Sequence, residues 1–510
     1  MMAVTRKRGS IFLIASILVF IAIAMAGAFL MPSLVRYRGT MQNIEANRAF
    51  YQAEAGLSHS VDDLNAQNSG TLGSEAAPVD YGDGEYYVST VDHGDYTYTI
   101  TSTGIMEGTN RTVTAVAKRR LKWFWDNAII AGPGASGSVI NGNTTSHGGI
   151  FVFGEEADGT GDLDPDDVVF AFSGTGGVKD NYQDLSATLA AKIPPLTPTY
   201  PLETEIRVKN GQMNFSGTGS LGQDSGGTTD FIDGVYTADG TYGGTAGAGN
   251  VHSDNGAYEN YDVPDSLTLP SVHEGYTDQA TGTAYTDYEA YVAARGLDLD
   301  AALTAQGTRL EDLHPASDNT GSIGSGNKHA IDSHTNNISA FDGATWETST
   351  NRIRWTKATG LLEIDGVIRM SSVTLGNKNG SMTYKGRGTI YVDSSGGGSG
   401  WIDIHGTILP QTTFPTVDVL GLVAEDEVQI AKGNGDSQTE MAVVIFAENE
   451  IEMAKQNQIA GTIISKYFNV GSNVPQLFAV PTLRDNLPPG FIYFPPIPTS
   501  VYLLSWQRGS

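Results

Sequence analysis

The densest group of metal-binding side chains in this 510-residue chain is an acidic run from Glu155 to Asp167. It holds seven carboxylates in thirteen residues, with Gly159 and Gly161 inside it where the backbone could bend. Calcium takes about six to eight oxygen ligands, often from an Asp-rich loop. The spacing differs from that of an EF-hand, so a solvated acidic loop is the alternative. The candidate calcium ligands are Asp158, Asp162, Asp164, Asp166 and Asp167, and no other cofactor is predicted.

The sequence contains short matches to enzyme motifs, but the residues around them do not support the chemistry. The run from Gly217 to Gly222 matches a dinucleotide-binding glycine pattern, but the residues after it will not open a helix to hold the phosphates. The nine histidines are scattered, and His405 is expected to be a wall residue of a strand. We therefore expect no enzyme. A carbohydrate-active enzyme is the alternative, and its candidate carboxylates share no obvious register: Asp365, Asp393 and Asp403.

The charge of the chain argues against a nucleic-acid ligand. The formal net charge is −27, and residues 123–350 hold 32 acidic and 7 basic side chains, which is −25 for that stretch alone. Affinity for phosphates needs Lys and Arg side chains that displace counterions, so we expect no nucleic acid as a partner. There are no cysteines, which excludes disulfides and thiolate metal sites.

The element that must position the whole chain is at its N-terminus. A basic leader, residues 1–9, precedes an uncharged run from Ser10 to Met31. At about 1.5 Å per residue, a helix over this run is long enough to cross a bilayer core of roughly 30 Å. The positive-inside rule places the leader in the cytoplasm and the bulk of the chain outside. A cleaved secretory signal and a generic signal anchor are the alternatives.

The helical pattern continues beyond the membrane. Apolar residues recur at spacings of three and four: Phe50, Ala53, Leu57, Val61 and Leu64. This spacing marks one face of an amphipathic helix. The sequence therefore predicts one helix over residues 10–65 that starts in lipid and ends in a folded domain, with a kink near Pro32.

These N-terminal residues resemble the PilX-type type IV pilus assembly proteins. The resemblance covers about the first 65 residues, and its most specific part is the run Ala53, Glu54, Ala55, Gly56, Leu57. It implies that a prepilin peptidase cuts after Gly9 and leaves Ser10 as the new N-terminus. It also implies other pilins and the pilus assembly machinery as partners. Major pilins carry a Glu at the fifth mature position, where this chain has Ile14.

Two β-rich regions are predicted after the helix. Residues 66–122 alternate in hydrophobicity between turn signals and predict a small antiparallel meander on the helix. Residues 123–350 are rich in Gly, Asp and Thr and predict β-structure with long loops and one or two short helices. Residues 351–510 repeat an Ile-x-Gly-x-Ile strand, with copies at 364–368, 404–408 and 459–463. This spacing favours a right-handed parallel β-helix, or solenoid, with a β-sandwich as the alternative.

The C-terminal tail is dense in proline. Prolines cannot continue a central strand, so the tail is predicted to be a strap over the open end of the solenoid. The fold class is thus mainly β with one long N-terminal transmembrane helix.

Together these patterns predict a minor pilin-like protein. It would be a single-pass protein of the bacterial inner membrane, anchored by residues 10–31, with its bulk periplasmic or extracellular. Such a domain suits a pilus or pseudopilus tip at the cell surface, where it would assist assembly or adhere to a surface ligand. The alternative is a signal-anchored envelope β-helix protein that works outside any filament.

Overall fold

The structure is a computed structural model, and it describes most of the chain. The described residues are 9–66, 68–132, 139–140, 145–154, 168–172, 176–209, 212–215, 220–225, 228–237, 242–243, 251–252, 259–260, 267–305, 329–331, 343, 345–371, 373–376, 380–394, 400–433, 436–470, 475–494 and 496–508. They fall into two compact units. Unit 1 comprises Met1–Lys122 and Ile497–Ser510, and unit 2 comprises Trp123–Pro496.

Unit 1 is one long helix and one antiparallel sheet. The helix is continuous through Pro32. The sheet has the order β1-β2-β3-β4 followed by the C-terminal strand. The elements are α1 (Gly9–Asn65), β1 (Val79–Tyr81), β2 (Gly84–Asp92), β3 (Thr97–Met106), β4 (Thr109–Lys122) and the C-terminal strand (Ile497–Arg508).

The core of unit 1 lies between α1 and the sheet. The helix face predicted from the sequence is the one that packs: Ala53, Leu57 and Leu64 are buried, and Phe50 and Val61 border them. Alternate residues of β3 and β4, among them Ile100 and Val113, fill the other side. The predicted helix and meander are therefore confirmed.

The fifth strand of this sheet comes from the other end of the chain. The C-terminal strand pairs antiparallel with β4, and Val501 lies opposite Arg119. Its first residue, Ile497, lies opposite Lys122, the last residue of β4. The sequence placed residues 497–508 with the rest of 351–510, because nothing local indicates which strand they join.

In its described residues, unit 2 consists of short strands with three short α-helices, and it extends over both predicted regions, 123–350 and 351–496. Its first strands are β5 (Asn127–Ala131), β6 (Val139–Ile140), β7 (Thr145–His147), β8 (Gly149–Val152), β9 (Val168–Phe172), β10 (Gly177–Lys179), β11 (Glu205–Val208), β12 (Gln212–Phe215), β13 (Ser220–Leu221), β14 (Gln223–Ser225), β15 (Thr228–Asp230), β16 (Gly234–Thr237), β17 (Tyr242–Gly243) and β18 (Glu259–Asn260). The helices are α2 (Ala187–Ala190), α3 (Tyr288–Arg295) and α4 (Leu299–Ala305), and the last two confirm the predicted short helices.

The remaining strands of unit 2 follow these helices or flank them. They are β19 (Tyr276–Thr277), β20 (Ala284–Tyr285), β21 (Leu297–Asp298), β22 (His329–Ile331), β23 (Thr345–Glu347), β24 (Arg352–Thr356), β25 (Leu361–Met370), β26 (Val373–Leu375), β27 (Ser381–Lys385), β28 (Arg387–Val392), β29 (Ile402–Ile404), β30 (Thr407–Pro410), β31 (Val419–Ala424), β32 (Glu427–Ile430), β33 (Glu440–Ala442), β34 (Val444–Met453), β35 (Gln458–Ala460), β36 (Ile463–Val470) and β37 (Gln476–Phe478).

Most of these strands pair parallel, in three ladders. Ladder 1 runs β25-β28-β31-β34-β36-β5-β8-β11-β16. Ladder 2 runs β26-β29-β32 and then through the second halves of β34 and β36. Ladder 3 runs β27-β30-β33-β35-β37-β7-β10-β13. The parallel sheet agrees with the predicted strand repeats.

Ladder 1 stacks like residues over one another in the core. Its register partners are aliphatic and at most 3% exposed: Ile368, Ile390, Leu422, Ile445, Ile463, Ile129, Ile150, Ile206 and Val235. The order is not the chain order, because β36 near the end of unit 2 pairs with β5 at its start. The two ends of unit 2 therefore share one stack.

Copy 364–368 lies within β25, as predicted, but the other two Ile-x-Gly-x-Ile repeats each join two strands at a corner, which corrects the prediction for them. Copy 404–408 joins β29 to β30, and copy 459–463 joins β35 to β36. Gly461 has φ +137°, and a Cβ there would lie 2.0 Å from the carbonyl oxygen of Val443. Only glycine fits such a turn. These two copies look alike because each pairs two inward residues around a bend, although they stand at different corners.

The proline-rich tail lies along ladder 1, which corrects the prediction of a strap at the open end. The Pro489 carbonyl accepts a hydrogen bond from the Thr389 hydroxyl on β28 at 2.7 Å. A Cβ on Gly421 of β31 would meet the Phe491 ring at 2.6 Å. Prolines cannot donate to a ladder, so this segment binds through its carbonyls and its aromatic rings.

Candidate functional site

The two halves of α1 have opposite surroundings within this chain. From Phe12 to Ile44 the large apolar residues are exposed, and Phe12 and Phe20 are 78% and 77% exposed. From Ala46 to Leu64 the inward face is buried against the sheet. The helix is long and apolar enough to cross a membrane. Because exposed apolar surface of this size is costly in water, the first half needs lipid or another apolar partner.

The motif at 53–57 lies where helix and sheet pack closely. Ala53 is fully buried. A Cβ on Gly56 would lie 2.5 Å from the hydroxyl of Ser102, and a Cβ on Gly104 would lie 2.1 Å from the carbonyl oxygen of Ala49. Small residues on both sides therefore let the two backbones approach. The structure gives Ala53, Gly56 and Leu57 a packing role, while Glu54 and Ala55 stay half-exposed.

Three hydrogen bonds fix the end of α1. The buried Arg119 guanidinium on β4 donates to the Leu64 carbonyl at 2.7 Å. The Val501 amide donates to the Asn65 side chain at 2.6 Å. The Ser60 hydroxyl donates to the Gly70 carbonyl at 2.6 Å. A cation at a helix C-terminus is electrostatically favourable, and here the last carbonyls also gain donors. Arg119 and Asn65 carried no sequence signal, since their partners are distant along the chain.

The predicted processing site lies at the start of α1. Gly9 and Ser10 are helical in backbone and form the first turn of the helix. Residues 1–8 of the leader are outside the described residues. The peptide bond that is predicted to be cut, after Gly9, therefore lies at the start of the helix. Its cleavage stays a prediction.

The predicted calcium ligands fall outside the described residues. Asp158, Asp162, Asp164, Asp166 and Asp167 all lie in the stretch 155–167, so calcium binding there stays a prediction.

A different carboxylate group appears on ladder 2, and sequence reasoning missed it. Glu427, Glu450 and Glu452 have oxygens within 4.8 Å of one another. They meet because β32 and β34 pair in parallel, with Glu427 opposite Glu450. Lys432 forms an ion pair with Glu452, and burial raises the pKa of the Glu427 carboxyl. A lysine therefore offsets part of the negative charge of this group.

The residues considered for carbohydrate chemistry are engaged separately. Asp393 is buried and pairs with Arg369 at 2.5 Å. Asp403 is buried on β29, while Asp365 is exposed on β25. His405 bonds through Nδ1 to Asp436 at 2.8 Å, which fits the structural role expected of it. The structure does not bring Asp365, Asp393 and Asp403 together as an acid–base set.

A long apolar N-terminal helix, half exposed and half packed on an antiparallel sheet, together with a strand-rich body defines a pilin-like fold. The chain is similar to the crystal structure of the competence-associated pilin ComZ from Thermus thermophilus, with a TM-score of 0.52. The two share 19% sequence identity, and the match covers 91% of this chain and 97% of that one. At this identity the likeness shows the fold alone.

No model of a known protein family matches the chain, and no curated protein matches its sequence. The pilin-like character predicted from residues 10–65 is thus supported at the level of fold. The finer resemblance to PilX-type proteins stays a prediction.

Proposed function

We propose that this chain is a minor pilin-like protein of a type IV pilus or pseudopilus, of the PilX type, and that unit 2 is displayed at the tip. The observation that carries the proposal is the division of α1. Its first half exposes apolar residues from Phe12 to Ile44, and its second half is the core element of unit 1. A helix of this kind can sit in the bacterial inner membrane before assembly and against other apolar helices afterwards.

The proposal favours a pilin-like protein over a generic signal anchor. A signal anchor needs only an apolar span and a linker. Here α1 continues without a break from the span into the folded unit, where Ala53 and Leu57 are buried. Because the helix is continuous, the position of its membrane-spanning half also sets the position of the folded part of unit 1. The signal-anchored envelope protein remains the second candidate.

We further propose that unit 2 is a right-handed parallel β-helix. Three observations support this: the parallel pairing of most strands, the three ladders, and the stacked aliphatic residues of ladder 1. Stacked parallel coils bury one continuous core, and right-handed crossovers are the rule for parallel strands. A β-sandwich would instead pair its strands antiparallel.

Adhesion is the role that we propose for the displayed unit. A tip position suits a bulky domain, because shaft subunits must pack on all sides. We propose no catalytic activity, since Asp393 is neutralised by Arg369 and His405 is held by Asp436. The acidic charge of residues 123–350 also disfavours nucleic acid as the ligand.

The test is the mature N-terminus of the protein from native membranes. Intact mass and N-terminal sequencing are compared between strains with and without prepilin peptidase. We expect a chain that starts at Ser10, lost when the peptidase is absent. Gly9→Val should block this processing, whereas Gly27→Val, a change near the far end of the span, should not. An intact leader in both strains would favour the signal-anchored envelope protein.

A further inference from the structure

A polar groove lies along ladder 3 of unit 2. Its volume is about 490 Å³, which is within the usual range for small-ligand sites. Four glutamines, two threonines, one serine and Glu440 line it. None of these eight residues is apolar or basic.

The register of ladder 3 builds this groove. Met441, Ile459 and Leu477 are partners on successive rungs and point into the core. Side chains alternate along a strand, so the residues before them point outward. Glu440, Gln458 and Gln476 therefore form one column, in register. Gln438 and Gln456, each two residues earlier, form a second column beside it.

Hydrogen bonds hold the amides of the groove in place. Gln458 donates to the Gln476 side chain and to the Asp184 carbonyl at 2.9 Å. Its oxygen accepts from the Ser186 amide at 2.9 Å. In the second column, Gln438 donates to Gln456 at 2.5 Å. The side chains are therefore ordered before any ligand arrives, which lowers the entropy cost of binding.

Behind the glutamine columns, a buried asparagine links the starts of β33 and β35. Asn457 accepts from the amide and the hydroxyl of Thr439, at 3.1 and 2.9 Å, and donates to the Ala454 carbonyl at 2.6 Å. The groove thus has a rigid floor.

The groove presents both donors and acceptors to a ligand. Among the described residues, the bonds above use neither the Gln456 nor the Gln476 amide nitrogen as a donor, and the Gln438 oxygen stays available as an acceptor. The Glu440 carboxylate adds a further acceptor. A sugar hydroxyl is both donor and acceptor, and a saccharide presents several in a row. Among the described lining residues, an anionic ligand would face Glu440 without a lysine or arginine, and a peptide would find no apolar side chain to pack against.

We propose that this groove binds a segment of an uncharged oligosaccharide, with its hydroxyls bonded to the two columns of glutamines. The inference rests on the proposed adhesive function of unit 2, and it names the class of ligand. The binding itself requires only the folded chain, whether or not the chain enters a filament.

The experiment is calorimetric titration of the full-length protein, kept soluble in a detergent without a sugar headgroup. The probes are two neutral tetrasaccharides, maltotetraose and fully N-acetylated chitotetraose, with a hyaluronan tetrasaccharide as the anionic probe. We expect saturable binding of at least one neutral probe and none of the anionic one. Gln456→Ala combined with Gln476→Ala should weaken it about tenfold, because each lost hydrogen bond contributes a few-fold in affinity.

The matched control is Gln429→Ala, a glutamine of the same kind on ladder 2. It should leave the affinity unchanged, and far-ultraviolet circular dichroism should show both variants folded. The proposal is overturned if neither neutral probe saturates, if only the anionic probe binds, or if the double variant binds as tightly as the original. Cleavage after Gly9 is measured separately, so failure here leaves the pilin proposal standing, and the reverse also holds.

Discussion

Unit 1 and unit 2 are both built from strands, but they pair them in opposite ways. In unit 1 neighbouring strands pair antiparallel, and one face of the sheet packs on α1. In unit 2 most strands pair parallel with strands one rung away, and like residues stack. Parallel sheets need burial of the stacked face, whereas antiparallel sheets tolerate water on one face.

Despite this difference, each unit is completed by residues from distant parts of the chain. Unit 1 gains its last strand when Val501 pairs with Arg119. Unit 2 joins its two ends when Ile463 pairs with Ile129. Each unit is therefore closed by segments that lie far apart along the chain. The four predictions below test where each unit is held most tightly.

The largest effect is expected at a corner of unit 2. Gly461→Ala places a Cβ 2.0 Å from the Val443 carbonyl oxygen, at φ +137°. Backbone must move, so we expect a loss of more than about 4 kcal/mol in the free energy of unfolding. Denaturation followed by the fluorescence of the buried Trp125 and Trp355 measures it. Gly282→Ala, at φ +70° with open space around it, is the control and should cost about 1–2 kcal/mol.

The corresponding position in unit 1 is Gly104. Gly104→Ala drives a Cβ into the backbone of α1, 2.1 Å from the Ala49 oxygen and 2.4 Å from the Ala53 nitrogen. We expect a loss of about 3 kcal/mol, confined to unit 1. Hydrogen exchange of the β3 and β4 amides should rise while that of ladder 1 stays unchanged. Gly27→Ala, with nothing within 4 Å, should leave all of these amides unaffected; equal exchange in both variants would contradict the close contact.

A fall in pH should lower the stability of unit 2 through His147, which belongs to that unit and not to unit 1. His147 is buried on ladder 3, stacks on Phe478 at 4.3 Å and bonds through Nδ1 to the Asn181 carbonyl. Burial is the main reason that its pKa is lowered to about 4; the charge of nearby Lys179 acts in the same direction, and the Asn181 carbonyl and Asp184 oppose the shift. The folded form therefore favours the neutral ring, and its contribution is present above pH of about 6.5 and lost as the pH falls to about 4.

The size of this loss is about 3 kcal/mol, in unit 2 only. Tryptophan-detected denaturation at pH 7, 5.5 and 4 should show it. His147→Gln should flatten the dependence, and a dependence identical in the variant would assign the effect to other groups.

The smallest effect is expected at the end of α1. Arg119→Met removes the charge-assisted bond to the Leu64 carbonyl, for a cost of about 2 kcal/mol in unit 1. Lys118→Met, at the exposed neighbouring position of β4, should change stability by less than about 0.5 kcal/mol. Both are read from hydrogen exchange of the last turns of α1. A similar effect of the two substitutions would mean that the bond to Leu64 contributes little.

Local patterns predicted much of unit 1 and less of unit 2. The spacing of Phe50, Ala53, Leu57 and Leu64 is a property of the helix alone, and the turn residues between β2, β3 and β4 mark a meander. These signals need no knowledge of the rest of the chain. The repeats marked strands of unit 2, but the pattern does not distinguish copy 364–368, which lies in one strand, from the copies at 404–408 and 459–463, which join two strands at a corner.

What sequence could not supply were the pairings between distant residues. The partner of Ile463 is Ile129, more than 300 positions earlier. Arg119 meets Leu64, and Asn65 meets Val501, only after the sheet has closed. The polar groove depends on the register of β33, β35 and β37, since Gln438 and Gln476 are unremarkable residues in the sequence. Distance along the chain, more than ambiguity of pattern, limited the prediction.

The opposition of Lys122 and Ile497 in adjacent strands makes unit 2 an insertion inside a β-hairpin. The residues 123–496 occupy the place of a hairpin turn, and the hairpin is the last pair of strands in the pilin-like unit. A short turn that joins Lys122 to Ile497 should therefore leave a closed five-stranded scaffold on its helix. The same junction could carry an unrelated domain in place of unit 2. Unit 1 and the domain inserted between its last two strands can therefore change independently.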